Sequence, residues 1–285
     1  MAENLTQQEK VQESVYILST VKFPAVPTGV IWLEEKLRND NVNFFDVIRE
    51  LENHSGIVEE IIKTANQVLH NLNNPVSNIS QAINFLGTQS LYHLVISAHF
   101  KELFSQNEVY AAVLEHSIWT AKAMVLIERR CGDYEPDFAY SMGLFHNLGA
   151  MAMSIYDPAK YEELFQKSRA FPVSALEKEE KRYGTNHCLL GVIIGKKWKL
   201  PRLVLEGIYR HHQLDIEAIT DKEIRKWVSR LRLANELVDQ VCYEIYQTTE
   251  MKQAQQIALE ELKLNNQHFQ SFKNDLAQNF LKSQY

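Results

Sequence analysis

Histidines are the residues of this sequence whose type and spacing could do chemistry. The candidates are accompanied by two asparagines: His116, His146, Asn147, His187, His211, His212 and Asn235. Imidazole nitrogens bind divalent metals, and they accept and donate protons near neutral pH. A hydrolytic metal centre also uses carboxylates, because they bring negative charge to the cations, whereas an asparagine carbonyl is a neutral and weaker ligand. The candidates therefore fit a polar pocket better than a hydrolytic metal centre.

The spacing of these residues resembles that of the HD superfamily of metal-dependent phosphohydrolases, whose signature is a His, an adjacent His-Asp pair and a distant Asp. His116 takes the first position, His146 and Asn147 take the pair, and Asn235 takes the distant position. Both acidic positions are thus carboxamides in this chain. The resemblance implies a degenerate pocket, so we predict no catalytic residues and no resident cofactor or metal. If an iron, manganese or zinc ion is held weakly, His116 and His146 are the expected ligands.

A second set of motifs resembles the HDOD family, the HD-related output domains of bacterial signalling proteins. The motifs follow the family's order at residues 23–27, 64–66, 74–87, 115–117, 143–149, 183–187, 198–201 and 209–212. Each motif alone is weak, but their number and order make the resemblance specific from residue 22 to about residue 240. The resemblance implies an all-α fold in which an N-terminal helical lobe packs against a multi-helical HD-like bundle.

The composition independently predicts a helical protein. Only 10 Gly and 7 Pro occur among 285 residues, while hydrophobic residues make up 45%. A chain that is poor in turn-forming residues and rich in Leu, Glu, Lys, Gln and Ala favours helices, and its length allows a large core. Asn43, followed by Asp46, is the expected N-cap of an early helix.

The charge and the cysteines narrow the class of protein. A formal net charge of -6 disfavours nucleic acid as a partner, because such binding depends on neutralising phosphates. Cys131, Cys188 and Cys242 are widely spaced and odd in number, so we expect reduced thiols. No apolar run approaches the roughly 20 residues that span a bilayer, and residues 1–10 are too polar for a signal peptide. We therefore expect a cytoplasmic protein without membrane insertion.

The HDOD resemblance implies two lobes, and the hydrophobic pattern adds a helical segment on either side of them. We predict a leading helix in residues 1–21, an N-terminal lobe in 22–112, an HD-like lobe in 113–245 and a C-terminal extension in 246–285. The extension carries two apolar stripes, Ile257, Leu259, Leu262 and Leu264, then Phe269, Phe272, Leu276 and Phe280. We expect it either to dock on the body or to mediate self-association. A homo-oligomer is therefore one of two alternatives.

Each candidate histidine also has a structural interpretation. His116 and His146 lie in apolar stretches, where a buried and hydrogen-bonded histidine is a sufficient account. His187 follows Asn186 at an expected helix start, where capping is the simpler explanation. His211 and the neighbouring His212 follow an expected helix whose negative C-terminal end attracts imidazole. As a group, however, the candidates are expected to meet in one pocket.

Two basic segments could contact a partner. Residues 196–199 and 223–232 are rich in Lys and Arg and each contains a Trp. Long basic side chains often cover a solvated helix face, which is one interpretation. The other is a surface for an acidic protein or a phosphorylated nucleotide.

These observations predict a non-catalytic signal-transduction output module, a pseudoenzyme that acts through contacts with signalling proteins and that a nucleotide or other ligand in the histidine pocket could gate. The alternative is a metal-dependent phosphohydrolase or a receptor for a phosphorylated nucleotide such as a cyclic dinucleotide. Asn147 discriminates between them, because Asn147→Asp would restore metal binding and phosphodiesterase activity only in an inactivated active site.

Overall fold

The computed structural model describes residues 5–26, 28–37, 43–53, 55–68, 74–86, 90–105, 108–131 and 135–283. Every regular element within these ranges is helical, which confirms the predicted all-α class. The helices are α1 (Gln7–Thr20), α2 (Thr28–Leu37), α3 (Phe44–Glu52), α4 (Ser55–Val68), α5 (Ile79–Leu86), α6 (Ser90–Phe104), α7 (Ala111–Cys131), α8 (Pro136–Phe145), α9 (Leu148–Tyr156), α10 (Pro158–Ala170), α11 (Ser174–Tyr183), α12 (His187–Lys197), α13 (Arg202–Arg210), α14 (Lys222–Cys242), α15 (Thr249–Glu261) and α16 (Asn266–Ser283).

Local sequence explains where several helices begin. Thr6 and Glu9 form a capping box at α1, in which each side chain accepts the other residue's backbone N–H. The predicted cap of α3 is confirmed, because the Asn43 side chain accepts a hydrogen bond from the backbone N–H of Phe45 at 3.1 Å. Asp221 caps α14 in the same way. These side chains satisfy backbone donors that have no partner in the first helical turn.

Two long helices form the centre of the bundle. α7 and α14 pack along each other, α8 packs on α7, and α9 packs on α12. In the N-terminal lobe, α4 and α6 pack together. The two lobes share one hydrophobic core, because Phe100 of α6 meets Phe145 at 5.0 Å and Trp198 at 6.2 Å between ring centroids. The helices that carry the candidate histidines are therefore held in one body.

The leading helix belongs to the HD-like side of this body. α1 packs on α9 and α12. The buried hydroxyls of Ser14 and Thr185 hydrogen-bond at 2.6 Å, and Lys10 forms a 2.7 Å ion pair with Glu180. α1 therefore braces the segment that leads into α12.

The C-terminal extension docks on the body. α15 packs on α14, and α16 packs on α7 and α14. Phe280 meets Trp119 edge to face at 5.0 Å, and Leu276 is fully buried. The Glu250 carboxylate accepts hydrogen bonds from the backbone N–H of Val173 and from the Ser174 hydroxyl at 2.6 Å. Of the two roles considered for this extension, the structure shows docking.

The basic helix expected to offer a surface is largely buried. Arg230 is 2% exposed and lies 3.2 Å from the fully buried Glu128 carboxylate, while Arg232 is 7% exposed. The interpretation of residues 223–232 as a solvated or partner-facing basic helix is therefore wrong for Arg230 and Arg232, which turn inward, whereas Lys226 is exposed. Lys196 and Lys197 are exposed. In the part of the chain that the structure describes, no helix combines the length and apolarity required to cross a membrane.

Candidate functional site: a histidine pocket at helix ends

The candidate residues lie in or next to six helices, most of them at helix ends. His116 lies in α7, and Asn235 lies in α14. His146 ends α8, and the adjacent Asn147 precedes the first residue of α9. His187 is the first residue of α12, while the remaining pair, His211 and His212, follows α13.

Glycine allows two of these helices to touch. A Cβ atom on Gly149 would lie 1.8 Å from the carbonyl oxygen of His187 and 2.6 Å from the backbone nitrogen of Gly191. The backbones of α9 and α12 therefore approach at a distance that only glycine permits. This approach brings the start of α12 next to the turn that carries His146 and Asn147.

The His116 ring contacts one signature residue, Asn147, and one acidic residue outside the signature, Asp239. The Asn147 amide nitrogen lies 3.3 Å from His116 Nδ1. His116 Nε2 lies 3.3 Å from Asp239 Oδ1, and both side chains are buried. An amide can only donate through its nitrogen, so His116 accepts at Nδ1 and carries its proton on Nε2, facing Asp239.

Asp239 is a site residue that the sequence reasoning missed. It lies four residues after Asn235 on α14 and therefore on the same helix face, which was the available signal. Asn235 itself accepts a hydrogen bond from the Thr120 hydroxyl of α7 at 3.1 Å. Both signature carboxamides thus have protein partners.

His146 and His211 each hydrogen-bond through Nδ1 to a backbone carbonyl three residues earlier in the chain. The His146 Nδ1 atom lies 2.6 Å from the carbonyl oxygen of Gly143, and the His211 Nδ1 atom lies 2.8 Å from that of Ile208. Each ring donates from Nδ1 and keeps a lone pair on Nε2. Burial, together with neighbouring histidines, holds the pKa of both rings well below the ordinary value, so both are neutral.

A buried ion pair stands behind these rings. His187 Nδ1 lies 2.8 Å from a carboxylate oxygen of Glu179, which also accepts the Tyr161 hydroxyl at 2.9 Å. His187 Nε2 lies 3.2 Å from His211 Nε2. Burial opposes a charge on His187, but Glu179 outweighs it and raises the pKa of His187 well above the ordinary value. His187 is therefore an imidazolium that donates to Glu179 and to His211.

His187 was predicted to cap the start of α12, but a neighbouring residue makes the cap. The Asn186 side chain is the N-cap, because it accepts the backbone N–H of Leu189 at 3.0 Å. The His187 side chain instead binds Glu179 of α11. Glu179 was missed, and no motif in the sequence marks it.

The pocket encloses about 50 Å³. The candidates that line it are His116, His146, Asn147, His211, His212 and Asn235. His187 is not among the lining residues and contacts the pocket through His211. A volume of this size holds roughly three to five water molecules. Pockets for drug-sized ligands are typically about 300–1,000 Å³, so the pocket as it stands suits water or a small ion rather than a whole nucleotide.

Charged residues outside the predicted set also line the pocket. Arg169 of α10, together with Arg232, Glu236 and Asp239 of α14, belongs to this group. Arg232 donates to the carbonyl oxygens of residues 213 and 214. Burial raises the pKa of Glu236 to about 7, against the hydrogen bonds that it accepts from Gln240 and Gln247. Met251 and Ala254 of α15 complete the wall, so the C-terminal extension takes part in the pocket.

The residues at the HD signature do not fit a catalytic metal. Asn147 directs its amide nitrogen at His116, and Asn235 uses its carbonyl oxygen for Thr120. Neither position supplies the negative charge that a bridging carboxylate brings to two cations. The nearby Asp239 already faces the N–H of His116.

A different group has donor atoms close enough for one ion. Ligand atoms of His187, Cys188, His211 and His212 lie within 4.8 Å of one another. Nitrogen and sulfur donors suit zinc or iron, and Glu179 on His187 Nδ1 is the arrangement that orients metal-bound histidines. The cluster fits a single transition-metal ion if His187 gives up its Nε2 proton, because a metal ligand must be deprotonated. The predicted ligand pair was instead His116 and His146.

Comparison with known proteins identifies the family. The family model described as "HDOD domain" matches residues 23–214, which is more than half of the chain. The chain belongs to the HDOD domain family. HDOD domains are associated with signal transduction and are related to HD phosphohydrolases, and the match confirms the resemblance that the motifs indicated.

Solved structures share the HDOD fold. An HDOD domain protein of unknown function from Geobacter sulfurreducens has a TM-score of 0.71 at 20% identity, with 97% of this chain and 96% of that chain covered. A candidate phosphohydrolase from Shewanella amazonensis SB2B has a TM-score of 0.66 at 18% identity, with 95% and 93% covered. At these identities the likeness shows the fold alone.

A curated relative is longer than the chain. An uncharacterized protein of Treponema pallidum (strain Nichols) is 23% identical over 218 residues, which cover 75% of this chain and 41% of the relative. The chain thus spans about two fifths of the length of that relative.

Proposed function

We propose that this HDOD chain is a non-catalytic output module that relays a signal through contacts with other proteins. The observation that carries the proposal is the state of the two signature carboxamides. Asn147 donates to His116, and Asn235 accepts from Thr120, so each position tethers helices through a neutral hydrogen bond. A phosphohydrolase needs anionic ligands at these positions to hold the cations that activate water.

The pocket can gate such a module through a small ligand. Its walls come from α10, α14 and α15 as well as from the histidine-bearing helices, so an occupant would contact elements on several sides of the bundle. A ligand changes the balance between conformations only if it binds them with different affinity. The volume of about 50 Å³ favours water or a small ion over a whole cyclic dinucleotide.

The first test is a phosphodiesterase assay. Tag-free protein is incubated with manganese or ferrous iron and with bis-p-nitrophenyl phosphate or a cyclic dinucleotide. We expect no turnover by the unaltered protein. Turnover that disappears in His116→Ala would overturn the proposal. Activity gained by Asn147→Asp with Asn235→Asp would show that the pocket is an inactivated active site, whereas no gain would mark it as a structural or regulatory one.

The competing function, a metal-dependent protein, rests on the cluster of His187, Cys188, His211 and His212. Elemental analysis of protein purified without chelators separates the cases. Stoichiometric zinc or iron that is lost in Cys188→Ser but kept in His116→Ala would place a metal at this cluster. Loss in His116→Ala with retention in Cys188→Ser would instead revive the HD-type site. If neither the unaltered protein nor either variant contains metal, the result supports the non-catalytic output module.

A further inference from the structure

A basic groove runs along the surface between α10 and α11. Its volume is about 530 Å³, and the side chain of Leu164 contributes an apolar patch to its wall. The charged residues that line it are Lys160, Glu163, Lys167, Lys178, Lys181 and Arg182. Five cations thus face one carboxylate, which is the reverse of the balance in a chain with a net charge of -6.

Helical periodicity explains why the cations share this groove. On α10, residues 160, 163, 164 and 167 follow the i, i+3, i+4, i+7 spacing of one helix face, and on α11 residues 178, 181 and 182 do the same. Two of the three acidic residues of α11 make other contacts: Glu179 is buried against His187, and Glu180 binds Lys10. Glu163 is therefore the one carboxylate among the residues that line the groove.

Most of these cations are not neutralised by neighbours. Glu163 pairs with Lys167, and Asp157 lies 3.6 Å from Arg182. Lys160, Lys178 and Lys181 have no carboxylate partner among the residues that the structure describes. Lys178 lies 5.3 Å from the centroid of the exposed Phe171 ring. The groove thus offers positive charges without carboxylate partners beside apolar surface.

We propose that the groove between α10 and α11 docks an acidic segment of a protein partner, with carboxylates on the lysines and an apolar side chain near Leu164. This proposal rests on the proposed output function and names the chemistry of its partner. Complementary charge speeds encounter and selects partners more than it adds affinity. A polyphosphate backbone fits less well, because the rest of this acidic chain repels a long polyanion.

The groove is connected to the histidine pocket through the same two helices. The inner face of α10 carries Tyr161, Phe165 and Arg169, and the inner face of α11 carries Glu179. Tyr161 and the His187 ring both bind the Glu179 carboxylate. A partner bound in the groove would therefore contact α10 and α11, the two helices that also carry residues next to the histidine pocket.

The test measures fluorescence anisotropy of a labelled, short, glutamate-rich peptide that carries leucines. The same peptide with glutamine in place of glutamate is the probe control. We expect the full chain to bind the glutamate peptide and not the glutamine peptide, and to bind it more weakly as salt rises. Lys178→Glu with Lys181→Glu should weaken binding about tenfold or more. Lys252→Glu with Lys263→Glu makes the same charge change at two exposed lysines that do not line the groove and should leave binding within about twofold.

Several outcomes would overturn the proposal that the groove docks an acidic segment. These are no binding of the glutamate peptide, equal loss in both double variants, no loss in the groove variant, or tighter binding of single-stranded DNA or anionic vesicles than of the peptide. Circular dichroism establishes that both variants keep their helical content. Failure of the groove is distinguishable from failure of the output function, because only turnover in the phosphodiesterase assay rejects the latter.

Discussion

At the scale of residues, the pocket holds its polar groups in a fixed set of protonation states. His146 and His211 are neutral because they are buried, while His187 is charged because Glu179 faces it. Glu236 is the exception, because burial raises its pKa to about 7, close to physiological pH. A buried carboxyl with a raised pKa prefers to be protonated in the folded state.

Glu236→Gln should flatten the pH dependence of stability. The folded pKa of about 7 lies above the ordinary value of 4.5, so the contribution of Glu236 is fully present below about pH 4.5 and is lost as pH rises through 7. The stability lost between about pH 4.5 and pH 7 is about 3 kcal/mol. Urea unfolding at pH 5 and pH 8 should show a smaller fall for Glu236→Gln than for the unaltered chain. The exposed Glu217→Gln should retain the full fall, and equal slopes in all three would reject the role of Glu236.

At the scale of elements, the pocket depends on close helix contacts. The contact between α9 and α12 exists because Gly149 has no side chain, and it sets His187 beside the segment that bears His146 and Asn147. Helix ends carry most of the candidates, so small shifts of one helix against another would separate them. The folded interior resists such shifts because it is densely packed.

Gly149→Ala should destabilise the protein by about 3 kcal/mol or more, because the new methyl would overlap the backbone of His187. Gly207→Ala is the matched control. Its nearest neighbours are flexible side-chain atoms of Met142 at 3.2 Å, and helix propensity favours alanine, so its effect should stay within about 1 kcal/mol. Thermal unfolding compares the two, and similar melting temperatures would show that the helix contact can relax.

At the scale of the whole molecule, the C-terminal extension is part of the body rather than an appendage. α15 supplies Met251 and Ala254 to the pocket wall, and Glu250 ties α15 to the start of α11. α16 buries Leu276 against the central helices. The extension and the HD-like bundle should therefore unfold together.

Leu276→Ala should lower the free energy of unfolding of the entire chain by about 2–5 kcal/mol, because it leaves a cavity in a shared core. Leu281→Ala, at a side chain that is 57% exposed, should change it by less than about 0.5 kcal/mol. Urea unfolding followed by circular dichroism should show one transition in each protein. A separate early transition in Leu276→Ala would mean that the extension folds independently of the body.

The sequence by itself determined the helical class, the cap at Asn43 and the family, because these depend on local propensity and on residues at set spacings. It also identified the lost carboxylates at Asn147 and Asn235, since a residue type can be read directly. Only the tertiary structure decided what these residues contact. Asp239, Glu179 and Arg169 reach the pocket or its histidines from helices far along the chain, and Arg230 and Arg232 turn inward rather than toward solvent. Spacing along α14 places Asp239 on the same face as Asn235, but packing between distant helices decides which residues these side chains contact.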